Sequence, residues 1–450
     1  MRRGLLVVFV ALCSFGQLTA QTDSTRHRLH LGLSFMTHGE HRGGGLPTTT
    51  GTVRDPKEGE TAAEKKGEAN FILGRTRLSL DFDMPHIDAR AVIQNQAVWG
   101  SKTNSTLGLY EAWVRFRANN GLFAQLGRVP LSYDDERIIG PNDWAMASKA
   151  HDLARVGYEG HGHKVHVLLA YNQNAENLTK GSFYEGGAQP YKTMHTLWYH
   201  YDVPKIPIGA SVLFMNIGMQ GGTPDDNPRT EYQQLLGGYL TATPKNLKLE
   251  AAYYRQMGKN EYSIDIEAWM AAFKATMVFD QGRHTVAVGY DYLSGDDYVA
   301  VVQPGTIGLP NHDKIKGFST VYGSHHEFYG VMDYFYQSAY IQGFTPGLQN
   351  AFAEFSFKPV RPLTCKVAYH YMAVATKLEG LNKTLGHDVE LEASYRFSKN
   401  VSLSAGFSFM AGTETMYRLK QHSGDRSVQW GWFSLIVSPS LLTTKWCVGI

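Results

Sequence analysis

Across residues 75–84, the odd positions carry Arg75, Arg77, Ser79, Asp81 and Asp83, and the even positions carry Thr76, Leu78, Leu80, Phe82 and Met84. A β-strand sends successive side chains to opposite faces, so a period of two places charge on one face and apolar groups on the other. The pattern recurs far along the chain, where Val389, Leu391, Ala393, Tyr395 and Phe397 alternate with Asp388, Glu390, Glu392, Ser394 and Arg396. An antiparallel sheet of a soluble protein with one wet face would also alternate. The density of charge suits a wall between lipid and a hydrated lumen better than the inside of a sandwich.

The alternating segments are joined by connections that are short and long in turn, as in outer-membrane barrels with tight periplasmic turns and long outer loops. The short ones are 84–88, 118–121, 160–163, 204–207, 243–246, 280–283, 359–362 and 398–400, and Gly, Pro, Asn and Asp dominate them. The long ones include 38–69, 133–151, 173–192, 221–229 and 412–428. With a first strand near 28–36 and a last near 429–437, parity makes the strand number even. Counting with 294–348 as one outer excursion predicts an all-β chain with a single antiparallel transmembrane barrel of about 18 strands, with 16 to 20 open. A connection that long usually carries function, so it is expected to fold into the lumen as a constriction or plug. The 38–69 loop is rich in Gly, Thr, Lys and Glu, and is expected to be a mobile extracellular loop.

The start of the chain, with Arg2, Arg3, an apolar run over 5–12 and Ala20, reads as a secretory signal peptide over residues 1–20 cut before Gln21. Cys13 does not make it a lipoprotein signal, since Leu12 stands where a small residue is expected. Beyond this segment no apolar run approaches the roughly 20 residues of a spanning helix, so the membrane is crossed by strands. Outside the signal, 41 basic residues face 41 acidic ones. That balance excludes the basic excess of a nucleic-acid protein. Cys365 shares an apolar face with Val367, Tyr369 and Tyr371 and reads as a small hydrophobe.

At strand spacing, Arg75, Arg77, Arg90, Arg115, Arg117 and Arg155 project toward the expected lumen, interspersed with Asp81, Asp83, Glu111 and Glu159. A guanidinium offers a permanent charge and a planar fork suited to carboxylate and phosphate, so such a wall can pass or hold anions. A self-neutralising network that stiffens the wall is the other reading. Histidines group at His27, His30, His38 and His41, and at His325 and His326 beside Glu327 and Asp333, but their spacing matches no metal pattern and adjacent strand residues point apart. The acidic pair Asp296 and Asp297 fits calcium no better. No G-x-S-x-G elbow is present, and the glycines at 43–45 lack the lysine of a phosphate loop. Neither an enzyme nor a cofactor site is therefore expected.

The stretch GRVPLSYDDERIIGPNDWAMASKAHDLARVGYE from Gly127 resembles the signature of the alginate-export family of outer-membrane barrels, in the form common in Bacteroidetes. GYDYLSGDD from Gly289, FSTVYGSHHEFYGVMDYF from Phe318 and LGHDVELEASYRFSKNVSLSAGFSFM from Leu385 are similar to the same group, as are LGLYEAWVRF and WGWFSLIVSPSLL. The resemblance implies an 18-stranded pore, with an arginine-rich constriction in its polyuronate-transporting members. It places Arg128, Asp134, Asp135, Glu136, Arg137, Asp143, Trp144 and Asp152 in the first motif, Ser294, Gly295 and Asp296 in the second, and His326, Gly330 and Asp333 in the third. Arg115 and Arg117 lie just ahead of the first motif. Val129 stands where the family usually has Gln, and the neutral charge departs from a basic pore. The expected function is a porin-like channel in a Gram-negative outer membrane for passive diffusion of hydrophilic solutes, with anionic oligosaccharides or organic acids among the candidates. The alternative is a surface receptor or structural barrel. Expected partners are outer-membrane lipids, the solutes, and the barrel-assembly machinery; residues 447–450 run past Trp446, so either Trp446 serves as the aromatic that the machinery reads or insertion is less efficient.

Overall fold

The computed structural model describes residues 25–44, 68–174, 182–187, 189–296, 301–303, 306–307, 314–335, 345–378, 380–420 and 427–448. The expected signal peptide over residues 1–20, most of the 38–69 loop and Asp297 lie outside the described residues. Eighteen antiparallel strands close into one barrel. They run β1 (Thr25–Gly43), β2 (Ala69–Asp83), β3 (Ile87–Val98), β4 (Ser105–Arg117), β5 (Leu122–Val129), β6 (His151–Gly160), β7 (His163–Tyr171), β8 (Thr193–Asp202), β9 (Ile208–Gly221) and β10 (Arg229–Ala242). The ring continues through β11 (Leu247–Lys259), β12 (Asp265–Phe279), β13 (His284–Leu293), β14 (Leu348–Val360), β15 (Leu363–Ala373), β16 (Thr384–Ser398), β17 (Val401–Gly412) and β18, which has two segments, Ser427–Val437 and Ser440–Val448.

Each strand pairs with its sequence neighbours, and β1 pairs with β18 to complete the ring. Closure satisfies every strand edge, which is the condition for a sheet to stand in hydrocarbon. The final strand is longer than the expected 429–437. Pro439 has no N–H to give the ladder, and the break at 438–439, followed by a bulge at Leu441, hides the continuation. Its carbonyl still accepts from the Leu33 N–H at 3.2 Å, and pairing with β1 resumes at Ser440. Trp446 therefore lies within the strand, its ring 5.7 Å from that of His27. The first strand likewise exceeds the expected 28–36, because His38–Arg42 pair with the start of β2 in polar, inward alternation.

The register fixes the two faces. Leu78 and Leu80 are exposed outward while Arg75 is buried inside, and on β16 Leu391 faces out while Asp388 and Glu390 are buried. Val367, Tyr369 and Tyr371 face outward, and Cys365, a free thiol, shares their face. Aromatic groups end both sides of the apolar band: Trp99, Tyr171 and Tyr262 toward the long loops, Phe116, Phe279 and Phe397 toward the short turns. Such girdles mark the two membrane interfaces. Among the described residues no helix is long and apolar enough to span a membrane. The 412–428 connection contains a helix that alternation did not foretell, Glu414–Leu419. Thr413 caps its N-terminus and it buries Met416 and Leu419.

Leu391 sits near the middle of β16 on the outer face, so Leu391→Arg is expected to lower stability by about 2–4 kcal/mol. The inward change Ser394→Arg should cost clearly less. Urea unfolding of protein refolded into vesicles measures both; equal costs would mean that the outer face is not lipid-facing.

Candidate functional site

Two connections fold inward and meet. Residues 130–150, between β5 and β6, form a parallel bridge with the excursion between β13 and β14 at Ile139 and Tyr322. Gly140 and Tyr322 exchange backbone bonds with this partner segment, and the Ser324 N–H donates to the Glu136 carbonyl at 2.8 Å. Glu136 accepts from the hydroxyls of Ser132 and Ser324 at 2.6 and 2.7 Å. Lys149 donates to the Gly323 carbonyl at 2.7 Å, and burial pulls its ammonium down to about 8. Beside it, burial and the Lys149 charge push His325 down to about 3.

The wall holds the loop pair on several sides. Asp134 takes the left-handed conformation, with φ 56°, and accepts from the Trp198 indole at 3.0 Å, from the Tyr254 hydroxyl at 3.3 Å and from Ser211. Burial raises its pKa, against the pull of those three donors. Arg137 is 6 % exposed and joins three elements: Asp135 at 3.2 Å, Asp291 of β13 at 2.8 Å and the Tyr329 hydroxyl at 3.1 Å. From Asp291 the network continues to Asn350, whose amide donates at 2.9 Å, then to His370 and Glu390, which accepts the Val331 N–H at 2.7 Å. Gly330 is required beside it. Its φ is +86°, and a Cβ would meet Met372 at 2.8 Å and Asp388 at 3.2 Å.

Ser294, Gly295 and Asp296 clamp the base of the excursion. The Asp296 carboxylate accepts from the N–H groups of Lys316 and Gly317, both at 2.8 Å, and of Thr345 at 3.2 Å. The Ser294 hydroxyl donates to the Lys316 carbonyl at 2.7 Å. A Cβ on Gly295 would lie 2.2 Å from Pro346. Trp144 stacks on His326 at 4.3 Å and 2°, with His38 and Trp432 edge-on at 4.5 and 4.6 Å. His326 also bonds Asp333 at 3.2 Å. Both adjacent histidines are buried because 325–327 is a 3-10 turn, whereas on a strand the two would point apart. Among the described residues no three His, Cys, Asp or Glu side chains converge as a metal site.

The six lumen-side arginines have three different employments. Arg75 and Arg77 hold the 130–150 loop: Arg75 donates to the Asp143 and Ala145 carbonyls at 2.9 Å, and Arg77 binds the Asp143 carboxylate at 2.7 Å. Arg90 is balanced by Asp81 and by Glu111 at 3.1 Å, and Arg117 by Asp83 and Asp88 at 3.2 and 2.8 Å. Arg115 and Arg155 have no carboxylate within ion-pair distance among the described residues. Both turn to the single Gln125 amide oxygen, at 3.1 and 3.0 Å, over the Phe123 ring. Glu159 is bound instead by His166 at 2.9 Å. Arg128 and Asp152 form a bidentate pair at 2.8 and 2.7 Å on the opposite, outward face of β5 and β6, away from the lumen.

Below the inward loops, toward the short turns, a cavity of about 330 Å³ opens between Arg28, His30, Asp81, Asp83, Asp88, Arg90 and Trp113. Gln125 and Phe123 escaped a sequence reading that counted only charges, although both share the inward parity of Arg115 and Arg155. Asp291 and Tyr329 lie 154 and 192 residues from Arg137, and no local signal pairs them.

No family model matches the chain, and no curated protein matches it. Solved structures do. OpdL of Pseudomonas aeruginosa has a TM-score of 0.59 at 13% identity, over 92% of this chain and 99% of that one. OccK5 (OpdH) of the same organism gives 0.56 at 12%, covering 92% and 98%. OccAB1 of Acinetobacter baumannii gives 0.56 at 12%, covering 92% and 97%. The fold is that of the outer-membrane β-barrel porins. These neighbours belong to a different family from the alginate exporters, so the alginate-export resemblance gains no support from them.

Arg137→Ala would leave Asp135 and Asp291 without their cation and is expected to weaken loop seating by about 3–5 kcal/mol. Limited proteolysis within 314–335 should then accelerate sharply, while Arg128→Ala on the outer wall leaves it unchanged. Equal resistance in both variants would remove Arg137 from that role.

Proposed function

We propose that the chain is a passive outer-membrane channel for hydrophilic solutes that favours anions such as organic acids or acidic oligosaccharides. The observation that carries the reading is the Arg115–Arg155 pair. Two permanent charges face the lumen with one neutral oxygen between them, so an entering carboxylate supplies the counter-charge that the wall withholds. A carboxylate or phosphate held there would bridge both forks without displacing an existing ion pair. The likeness of fold to porins supports a channel, and the apolar band supports an outer-membrane site. The pore is narrowed by the 130–150 loop and the excursion, and the mixed pairs Arg90–Asp81 and Arg117–Asp88 limit size rather than sign. No energy coupling and no turnover are proposed.

The meeting of two loops inside the ring favours one second reading, a receptor whose lumen stays shut. Planar bilayers separate the two. Purified protein should give steady ion conductance, and replacing Arg115 and Arg155 together with Gln should reduce the anion-to-cation permeability ratio by about threefold or more. Unchanged reversal potentials would reject the arginine pair as the selective element. A bilayer that stays silent, even after residues 314–335 are shortened, would favour the receptor.

A further inference from the structure

Eight short turns ring the periplasmic end of the barrel, and their charge is distributed on one side. Five consecutive turns, from β8–β9 round to β16–β17, each carry an exposed basic residue: Lys205, Lys245, Arg283, Arg361 and Lys399. The other three turns, at 84–86, 118–121 and 161–162, carry no Lys, Arg, Asp or Glu. Of the five, only Arg283 has an acidic neighbour within ion-pair distance among the described residues, Asp280 at 3.9 Å. Asp202, the other acid on this arc, is engaged by His200 at 2.9 Å and Lys164 at 3.6 Å.

Turn geometry does not call for these side chains. Lys205 and Lys245 sit at φ 66° and 56°, a conformation that Asn or Gly adopts at lower cost. What accompanies four of the five basic residues is an apolar group at the edge of the lipid-facing band. Ile206 adjoins Lys205, Val360 adjoins Arg361, Phe397 lies two residues before Lys399, and Phe279 lies four before Arg283; all four are exposed outward, by 53, 53, 61 and 43 %. A long basic side chain one to four residues beyond the acyl boundary stands at the level of the phospholipid headgroups.

We infer that this arc is a binding surface for anionic phospholipid headgroups of the periplasmic leaflet. Successive turns are two strands apart, so the cations are spaced on the order of 10 Å along the rim. That row suits separate phosphates held side by side better than one compact acidic protein surface. Each cation near an anionic surface attracts it, and the attraction falls with salt. The inference is independent of which solute the lumen conducts.

The test uses the full chain, refolded into vesicles of phosphatidylcholine alone or of equal parts phosphatidylcholine and phosphatidylglycerol, then taken into mild detergent for native mass spectrometry. Retained phosphatidylglycerol should exceed phosphatidylcholine by about threefold or more. The preference should fade as salt rises. It should vanish when Lys205, Lys245, Arg283, Arg361 and Lys399 are all replaced by Gln, and persist in Lys102→Gln, which changes a cation at the opposite end. Because the salt series is run on the unaltered protein, it stands even if the fivefold variant refolds poorly. Equal retention of both lipids, or a salt-insensitive preference, would overturn the inference. So would binding of soluble polyglutamate to the detergent-solubilised protein with no lipid preference, which would identify an acidic polypeptide as the partner.

Discussion

A peptide group in hydrocarbon has no water to bond, and every other feature of this chain follows from how its strands meet that demand. Eighteen strands satisfy one another's N–H and carbonyl groups only if the last returns to the first. The pairing of β1 with β18 is therefore the condition for the rest. Even the proline interruption at Pro439 is handled locally, with its carbonyl still bonded and the ladder resumed one residue later. Closure divides space into a lipid outside and a hydrated inside, and the period of two sorts each side chain into one or the other.

The inside then poses an electrostatic problem, and the structure gives it different solutions around the ring. Arg90 and Arg117 are matched by carboxylates, while Arg75 and Arg77 bind the 130–150 loop through its Asp143 and backbone carbonyls. On the other side, Asp291, Asn350, His370 and Glu390 form a buried chain whose two ends are taken by the inward loops, through Arg137 and the Val331 N–H. Buried ion pairs of this sort add specificity of seating more than stability, because removing either partner strands a charge. Arg115 and Arg155 instead share a neutral neighbour, the Gln125 amide oxygen. Balanced charge thus ties the inward loops to the wall, and the proposed anion preference rests on the Arg115–Arg155 pair.

Alternation exposes the strands because both faces of each are constrained, one by lipid and one by water. That is why the residues 75–84 and 388–397 were legible, and why the parity count reached eighteen. The same rule failed where a constraint was local: the break at Pro439 concealed a further nine-residue segment, Ser440–Val448, and the helix Glu414–Leu419 has no period-two signature. The candidate site was legible only in part. The inward parity of the arginines can be read from spacing, but their employment cannot, since Arg115 differs from Arg117 by what lies across the neighbouring strand. Arg128 and Asp152 stand in the same motif as Arg137 yet face outward, because β5 and β6 turn them three residues out of phase with Gln125 and Arg155. The inward loops depend on contacts between residues far apart in the chain, which no short window contains.

The division into a wet inside and a greasy outside can be measured directly by placing single cysteines along residues 391–397 of β16 in a background with Cys365 and Cys447 both replaced by Ser. Bimane fluorescence at the odd positions should be quenched by spin-labelled lipid, and the even positions should react instead with a membrane-impermeant thiol reagent added to the water phase. Loss of this two-residue alternation, with every position reached by the aqueous reagent and none by the lipid quencher, would contradict the barrel on which the account rests.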